Sequence, residues 1–300
     1  MSTNKTSEAA IALITVMPPK PSTIEKLVRF CKVKPLGAAG GFIVLVMVAT
    51  ALLAPLISPY DAYEMRFDSL FAPPGEEFFL GTDNYGRDIL SRIIWGSRIS
   101  LTVGLVSVSL GITSGALLGL VSGFVGGRLD VIGQRFIDIL MAFPVLILAL
   151  CVVAALGPTI RNVIIAISIV LIPQGARVVR SSSLAVRETQ YVDAARAIGA
   201  SAPHILLRHV LPNCIAPFII VFTANLGWAI VVEASLSFLG LGTPPPEPSW
   251  GSMISAEGRQ YLEKAPWIGV FPGVAISLGV FGFNILGDAL RDVWDPRLKR

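Results

Sequence analysis

GAAGGFIVLVMVATALLAPLIS, residues 37–58, is a stretch of twenty-two residues without one charged side chain. A helix rises about 1.5 Å per residue, so about 20 apolar residues cross the roughly 30 Å hydrocarbon layer of a membrane. The stretch is long enough to span and too uniformly apolar for the core helix of a soluble domain. Five others of the same kind lie near 99–124, 136–156, 160–177, 214–239 and 266–287. Backbone N–H and C=O groups in lipid must be satisfied within the segment, which leaves helices. The expected fold is all-α, a polytopic membrane protein with six transmembrane helices.

Composition agrees. Of 300 residues, 53% are hydrophobic and only 15% charged, with mean hydropathy +0.71. The net charge of +4 is dispersed between apolar runs and forms no aromatic-basic patch, which argues against nucleic acid as a partner. Cys31, Cys151 and Cys214 lie far apart, so neither a disulfide framework nor a CxxC metal site follows. They are expected to be small buried hydrophobes.

AAIALITVM, 9–17, is short, follows Glu8 and precedes PPKP without a small-residue cleavage site, so it does not read as a cleaved signal. Ser22 and Glu25 have capping-box spacing before IEKLVRFCK, which predicts an interfacial helix. The chain divides into an N-terminal tail, 1–36, and a transmembrane domain, 37–300. With the N-terminus inside, 17 of the 24 Lys and Arg residues fall on the cytoplasmic side and seven outside. By the positive-inside rule both termini and the 178–213 loop are cytoplasmic, while the 59–98 and 240–265 loops are outer.

The 178–213 loop contains YVDAARAIGASAPHILLRHVLPN, 191–213, with both histidines of the chain. Leu184, Tyr191, Ala195 and Ile198 recur at spacings of 7, 4 and 3, which predicts one shared face of a helix over 181–198. Gly199 is placed to end that helix in a left-handed conformation. Ser201 reads as the N-cap of a second short helix, which Leu211-Pro212 is expected to break before the fifth span. His204 and His209 have no further His or Cys nearby, so solvated or interface positions are expected and no metal site.

The spacing of Asp193-Ala194-Ala195, Gly199 and Leu211-Pro212 resembles the EAA loop of bacterial ABC importer permeases: EAA, three residues, G, nine residues, I, one residue, LP. Asp193 stands in the glutamate position and keeps its charge; His209 stands in the isoleucine position. In that family the loop is a coupling helix that docks in a groove of the ATPase subunit. The resemblance therefore implies a cytoplasmic coupling-helix loop whose ATPase-coupling residues are Asp193, Ala194, Ala195, Gly199, Leu211 and Pro212. Three further segments are similar to C-type permease subunits of dipeptide, oligopeptide and nickel importers: GTDNYGRDILSRIIWGSRISLTVG (81–104), EASLSFLGLGTPPPEPSWG (233–251) and FNILGDALRDVWDPR (283–297). The likeness runs from about Gly37 to the end of the sequence. It implies a bacterial inner-membrane complex of this chain, a B-type permease, two ATP-binding subunits and an extracytoplasmic substrate-binding protein. ATP and Mg would be bound by the ATPase subunits, with no cofactor in this chain. Peptide is the expected cargo, ahead of nickel, glutathione-like thiols and small glycosides.

Several residues carry readings of their own. Glu233 is the one acid well inside an apolar run, where a charge costs roughly 2.5–3.5 kcal/mol, so it should face the bundle interior, a partner or water. It is either a substrate-pathway residue or a structural hydrogen-bonding group. Glycines at 111, 115, 119, 123 and 127 form a smooth stripe that admits another helix closely, in this chain or a partner. GTDNYGRD predicts a turn and then a short helix with Asp88 in its first turn. Trp250, after PPPEPS, is placed as an interfacial anchor. Arg135 and Asp138, three apart, are placed to pair. No lysine follows a glycine, so the phosphate loop GxxxxGK[ST] is absent, and neither HExxH nor GxSxG occurs. No catalytic residue is expected. The alternative is an ion-coupled secondary transporter, but such carriers show internal repeats, and none is evident.

Overall fold

The computed structural model describes residues 30–255 and 260–294. The expected interfacial helix begins outside this range; its end, 30–33, is helical. Besides that end, the helices described in full are α1 (Pro35–Ile57), α2 (Ile89–Val125), α3 (Gly127–Met141), α4 (Val145–Leu156), α5 (Ile160–Arg187), α6 (Gln190–Ala197), α7 (Ala202–Ile205), α8 (Leu211–Phe238), α9 (Trp250–Ile254) and α10 (Trp267–Trp294). Five spans are long and apolar enough to cross a membrane, and the bent pair α3 and α4 makes a sixth. The all-α, six-span expectation therefore holds, with one change of shape.

That change is the third span. It was expected as a straight helix over 136–156, but α3 and α4 meet at 90° across residues 142–144. Pro144 explains the break, since proline lacks the N–H and disfavours helical geometry at the residue before it. The second span also differs. Asp88 caps no separate short helix; its carboxylate accepts the Ser91 N–H at 2.8 Å and starts α2, which runs 37 residues without interruption.

The glycine stripe of α2 finds its neighbour inside this chain. Gly111, Gly115, Gly119 and Gly123 lie against Ser168, Ile172, Ala176 and Arg180 of α5. The offset is constant, so the two helices run parallel with backbones in contact. A Cβ at Gly115 would overlap the Ile172 carbonyl, and one at Gly119 the Ala176 carbonyl. Gly175 of α5 meets Ile112 in the same way. Because lipid is as apolar as the side chains, such close packing and hydrogen bonds between helices hold a bundle together. Here Ser168 Oγ donates to the Ser107 carbonyl at 3.2 Å and Ser183 Oγ to Leu120 at 3.0 Å. Gly127, past the end of α2 at φ +61°, takes no part.

The other spans wrap this pair. α8 crosses α2 and α5, burying Val103, Ile112, Ile167, Leu171 and Leu236. α10 packs on α8, with Gly227 against Asn284, and α1 packs on α10, with Gly40 against Gly282. Lys34 Nζ binds Asp292 Oδ2 at 2.6 Å where α1 and α10 meet. Asp138 pairs with Arg177 of α5 at 3.2 Å rather than with Arg135, and Asp130 accepts both Arg180 Nε and a terminal nitrogen at 2.6 Å. Two cross-helix arginines thus reach the α3 acids first. Of the cysteines only Cys214 is buried; Cys31 and Cys151 are exposed, on helix faces that no other described residue covers.

Replacing Gly115 by valine should destabilise the protein by about 1–3 kcal/mol or more, since backbone must shift to admit the side chain. The detergent-purified complex should melt earlier. Gly133→Ala, whose Cβ would sit 3.7 Å from that of Ser122, should leave the melting temperature unchanged.

Candidate functional site

Residues 188–213 form a two-faced segment. Val192 and Ala195 on α6, Ile205, and Val210 are buried with Ala116, Leu120 and Phe124 of α2 and Val179 of α5. The opposite side carries Asp193, Ala194, Arg196 and Ala197, all exposed, with Ile198 at 85% exposure and Leu207 at 62%. The face expected to be shared by Leu184, Tyr191, Ala195 and Ile198 does not form. α5 ends at Arg187, and the turn at Glu188 and Thr189 rotates the register, leaving Tyr191 and Ile198 outside. Asp193 and Arg196 pair at 3.0 Å on the exposed crest, an interaction of little energetic weight.

Gly199 ends α6 as expected, at φ +83°. Its N–H reaches the Arg196 carbonyl and that of Ala200 reaches Ala195, both at 3.0 Å, the double closure of a left-handed helix end. Ser201 lies at the cap position of α7 but its side chain makes no capping bond; its carbonyl accepts the Ile205 N–H at 3.0 Å.

The expected break at Leu211-Pro212 is absent. A π-helical turn, Leu206–Val210, carries α7 directly into α8, and Pro212 sits in the first turn of α8. Proline is tolerated there, and the wider turn absorbs its missing donor. Asn213 Nδ2 donates to the His209 carbonyl at 2.7 Å, using an acceptor near the gap. His204 is exposed and stacks edge-on to His209 with centroids 6.3 Å apart; no group of three metal-ligating side chains occurs among the described residues.

Arg187, unnoticed in the sequence, clamps this region. Its guanidinium donates to the Phe124 carbonyl at 3.3 Å, at the carboxyl end of α2, where cations are favoured. Nothing in the local sequence distinguishes it from the other loop arginines.

Glu233 lies at the far end of the bundle and is fully buried. Ser237 Oγ donates to its Oε1 at 2.8 Å, and Ser100 Oγ of α2 to its Oε2 at 3.2 Å. Ser237 also faces the Ser249 hydroxyl at 3.4 Å, and Ser100 accepts the Trp250 N–H at 3.3 Å. The carboxyl group thereby joins α2, α8 and the start of α9.

Trp250 is 2% exposed and donates its indole N–H to the Ile93 carbonyl at 3.0 Å, so it is a wedge under the cap at this end of the bundle, not an interfacial anchor. Gly96 makes room for it. Across the cap, Tyr63 donates to Glu247 at 3.0 Å. Burial first, and the Glu247 hydrogen bond second, raise the Tyr63 hydroxyl above its ordinary range, so it stays a donor through neutral pH.

A bundle of membrane-length helices, with a two-faced segment docked on one end and a polar cap closing the other, has the build of a polytopic membrane protein, and the known proteins it resembles make it a transport subunit. Residues 115–300 match the family described as binding-protein-dependent transport system inner membrane component, and 28–74 match the N-terminal TM domain of oligopeptide transport permease C. The chain is 47% identical over 260 residues to a putative peptide transport system permease protein of Brucella suis, covering 87% of each. It is 44% identical over 262 residues to the glutathione transport system permease protein GsiD of Pectobacterium atrosepticum, covering 87% of each. Over 264 residues it is 42% identical to the dipeptide transport system permease protein DppC of Alkalihalophilus pseudofirmus, covering 88% of this chain and 86% of that one. A solved chain of the MetNI methionine ABC transporter, in inward-facing conformations, shares the fold, with TM-score 0.56 at 18% identity over 68% of this chain and 96% of that chain. The chain belongs to the binding-protein-dependent inner membrane component family and is a C-type permease subunit of an ABC importer. None of these relatives is an ion-coupled carrier.

Glu233→Gln keeps an acceptor for Ser237 and should leave assembly and melting temperature near wild type. Glu233→Ala strands the Ser237 and Ser100 hydroxyls and should cost about 2–3 kcal/mol, read as earlier melting.

Proposed function

We propose that this subunit forms half of a translocation pathway for short peptides and is driven through the 190–213 segment. Its partners are a B-type permease, two ATP-binding subunits and an extracytoplasmic substrate-binding protein. ATP and Mg belong to the ATPase subunits, and this chain performs no bond chemistry. The names of the relatives support peptide as cargo, with glutathione the nearest variant. The distribution of Lys and Arg supports cytoplasmic termini and a cytoplasmic coupling segment.

One observation carries the reading: the segment is anchored on its apolar side and open on the other. Val192, Ala195 and Ile205 fix it to the inner ends of α2 and α5, while Asp193, Ala194 and Ile198 stand free to enter a groove of an ATPase. Leu211 and Pro212 pass the motion on, because α7 runs into α8 without a joint. A push on α6 therefore moves α5 and α8 together, a rigid-body transition between two packed states. Gly199 keeps the return path from α6 to α7 tight, in a conformation that side-chain-bearing residues reach at about 1–2 kcal/mol. For Glu233 the enclosed geometry favours fastening the outer end over lining the pathway.

Gly199 has open space around its missing Cβ, so Gly199→Val acts through backbone strain alone. In proteoliposomes containing the whole complex, uptake should fall several-fold while ATP hydrolysis persists. Uptake and hydrolysis that remain in the wild-type ratio would refute the lever.

A further inference from the structure

Of the bent pair, α4 is the limb that follows the bundle, with Ala149 and Val153 buried among Val163, Ala166 and Ile167 of α5. α3 meets it at 90° and so lies across α5, not along it. The ion pairs agree. Asp130 and Asp138 stand about 12 Å apart on α3, yet they meet Arg180 and Arg177, which are only about 4.5 Å apart along α5. The crossing falls where the apolar run of α5 gives way to charge, which puts α3 at the level of a bilayer surface, on the side of the 190–213 segment.

Three stripes run along α3. Ile137 is buried, and a Cβ on Gly133 would lie 3.7 Å from that of Ser122, so this side is turned to the bundle. Leu129, Ile132, Phe136 and Ile139, at spacings of 3, 4 and 3, share a second side and are 48–69% exposed. Arg128 and Arg135, seven apart, run along the edge of that apolar side. Both are exposed, and neither has an ion-pair or hydrogen-bond partner among the described residues. The acids of α3 are therefore neutralised by α5, while its arginines are left uncompensated beside an open apolar stripe.

An occupant of this surface must be apolar along one line and anionic along the next. A bilayer surface supplies both, hydrocarbon under the stripe and phosphate at its edge, and arginine suits that boundary because its stem covers apolar surface while its guanidinium fork binds phosphate. The exposed apolar surface also continues round the bend onto Phe143, Val145, Leu146 and Ile147, so the stripe is continuous with one side of the crossing limb.

We propose that α3 is an in-plane helix that rests in the surface of one leaflet and holds anionic phospholipid, the phosphates at Arg128 and Arg135 and the acyl chains beneath Leu129, Ile132, Phe136 and Ile139. Asp130 and Asp138 fasten this helix to α5, which leads directly into the 190–213 segment, so the leaflet braces the helix next to that segment.

The test uses the complete membrane complex in nanodiscs of phosphatidylcholine alone or of an equal mixture with phosphatidylglycerol. With Cys31→Ser and Cys151→Ser removing the exposed thiols, a spin label is attached at Ile132→Cys or at Gln134→Cys, and its collisions with oxygen and with a water-soluble nickel chelate are measured. The oxygen-to-nickel ratio should be several-fold higher at 132 than at 134. Free access of nickel to 132 would make the stripe a water-facing surface, and shielding from both reagents would make it a contact with another protein; either overturns the proposal. Native mass spectrometry of complexes released from the mixed nanodiscs then reads the retained phosphatidylglycerol. Wild type should keep it in the presence of soluble glycerol phosphate, and Arg128→Gln and Arg135→Gln should each weaken retention about fivefold at an unchanged melting temperature. Retention that ignores both substitutions, or displacement by glycerol phosphate, which would mark a simple phosphate pocket, overturns the lipid site.

Discussion

Backbone contact between α2 and α5 is the constraint on which the rest of the molecule depends. Four glycines at every fourth position remove the side chains that would hold two helices about 8–10 Å apart, and the carbonyls of α5 fill the vacated space. In a solvent that offers no hydrophobic drive, this contact and its serine hydroxyl bonds keep two parallel spans in register. α2 is also far longer than the membrane requires, about 55 Å for 37 residues, and its first fourteen residues project beyond the start of α5, while α5 runs past the end of α2 at the other side.

The two ends of this helix pair carry the two polar assemblies. At the carboxyl end of α2, Ala116, Leu120 and Phe124 seat the 190–210 segment, and Arg187 of α5 closes the last carbonyls of α2. At its amino end, Asp88 and Ser91 begin the helix, Ser91 accepts the Tyr60 N–H at 3.1 Å, and Ser100 and Ile93 hold Trp250. Trp267 adds a bond from its indole to Thr82 at 3.1 Å. A single long helix thus joins the 190–213 segment at one end of the bundle to the polar cap at the other. The bent third span lies to one side, tied to α5 by Arg177 and Arg180.

Much of this was legible in the sequence, for physical reasons. Span length and apolarity are one-dimensional quantities, so the six spans could be read directly. Gly199 was legible because a helix that turns back sharply commonly ends on a residue at positive φ, and the glycine period because a stripe of small residues admits a close neighbour. Other features depend on rotational phase or on distant partners. Whether Asp138 faces Arg135 or Arg177 is decided by how α3 lies against α5. Trp250 looks like an interface anchor until Gly96 is seen to make space for it. Pro212 reads as a breaker unless the chain widens by one residue per turn before it, and Pro144 went unread inside an otherwise unbroken apolar run. Glu233 was seen to need partners, but serines 100, 237 and 249 span 150 positions and are among many serines.

Distance measurement between spin labels tests most directly whether α2 acts as a strut. One label replaces Ile198 on the exposed crest and another replaces Glu76 in the exposed outer loop, both positions free of contacts that hold the fold. Across the nucleotide-free and ATP-bound complex, the distance between them within one chain should keep the same distribution, while the distance from Ile198 to the equivalent crest of the second permease shortens. A shift in the intrachain distance as large as the interchain one would contradict the account, because the force would then be absorbed inside the subunit instead of being carried through it.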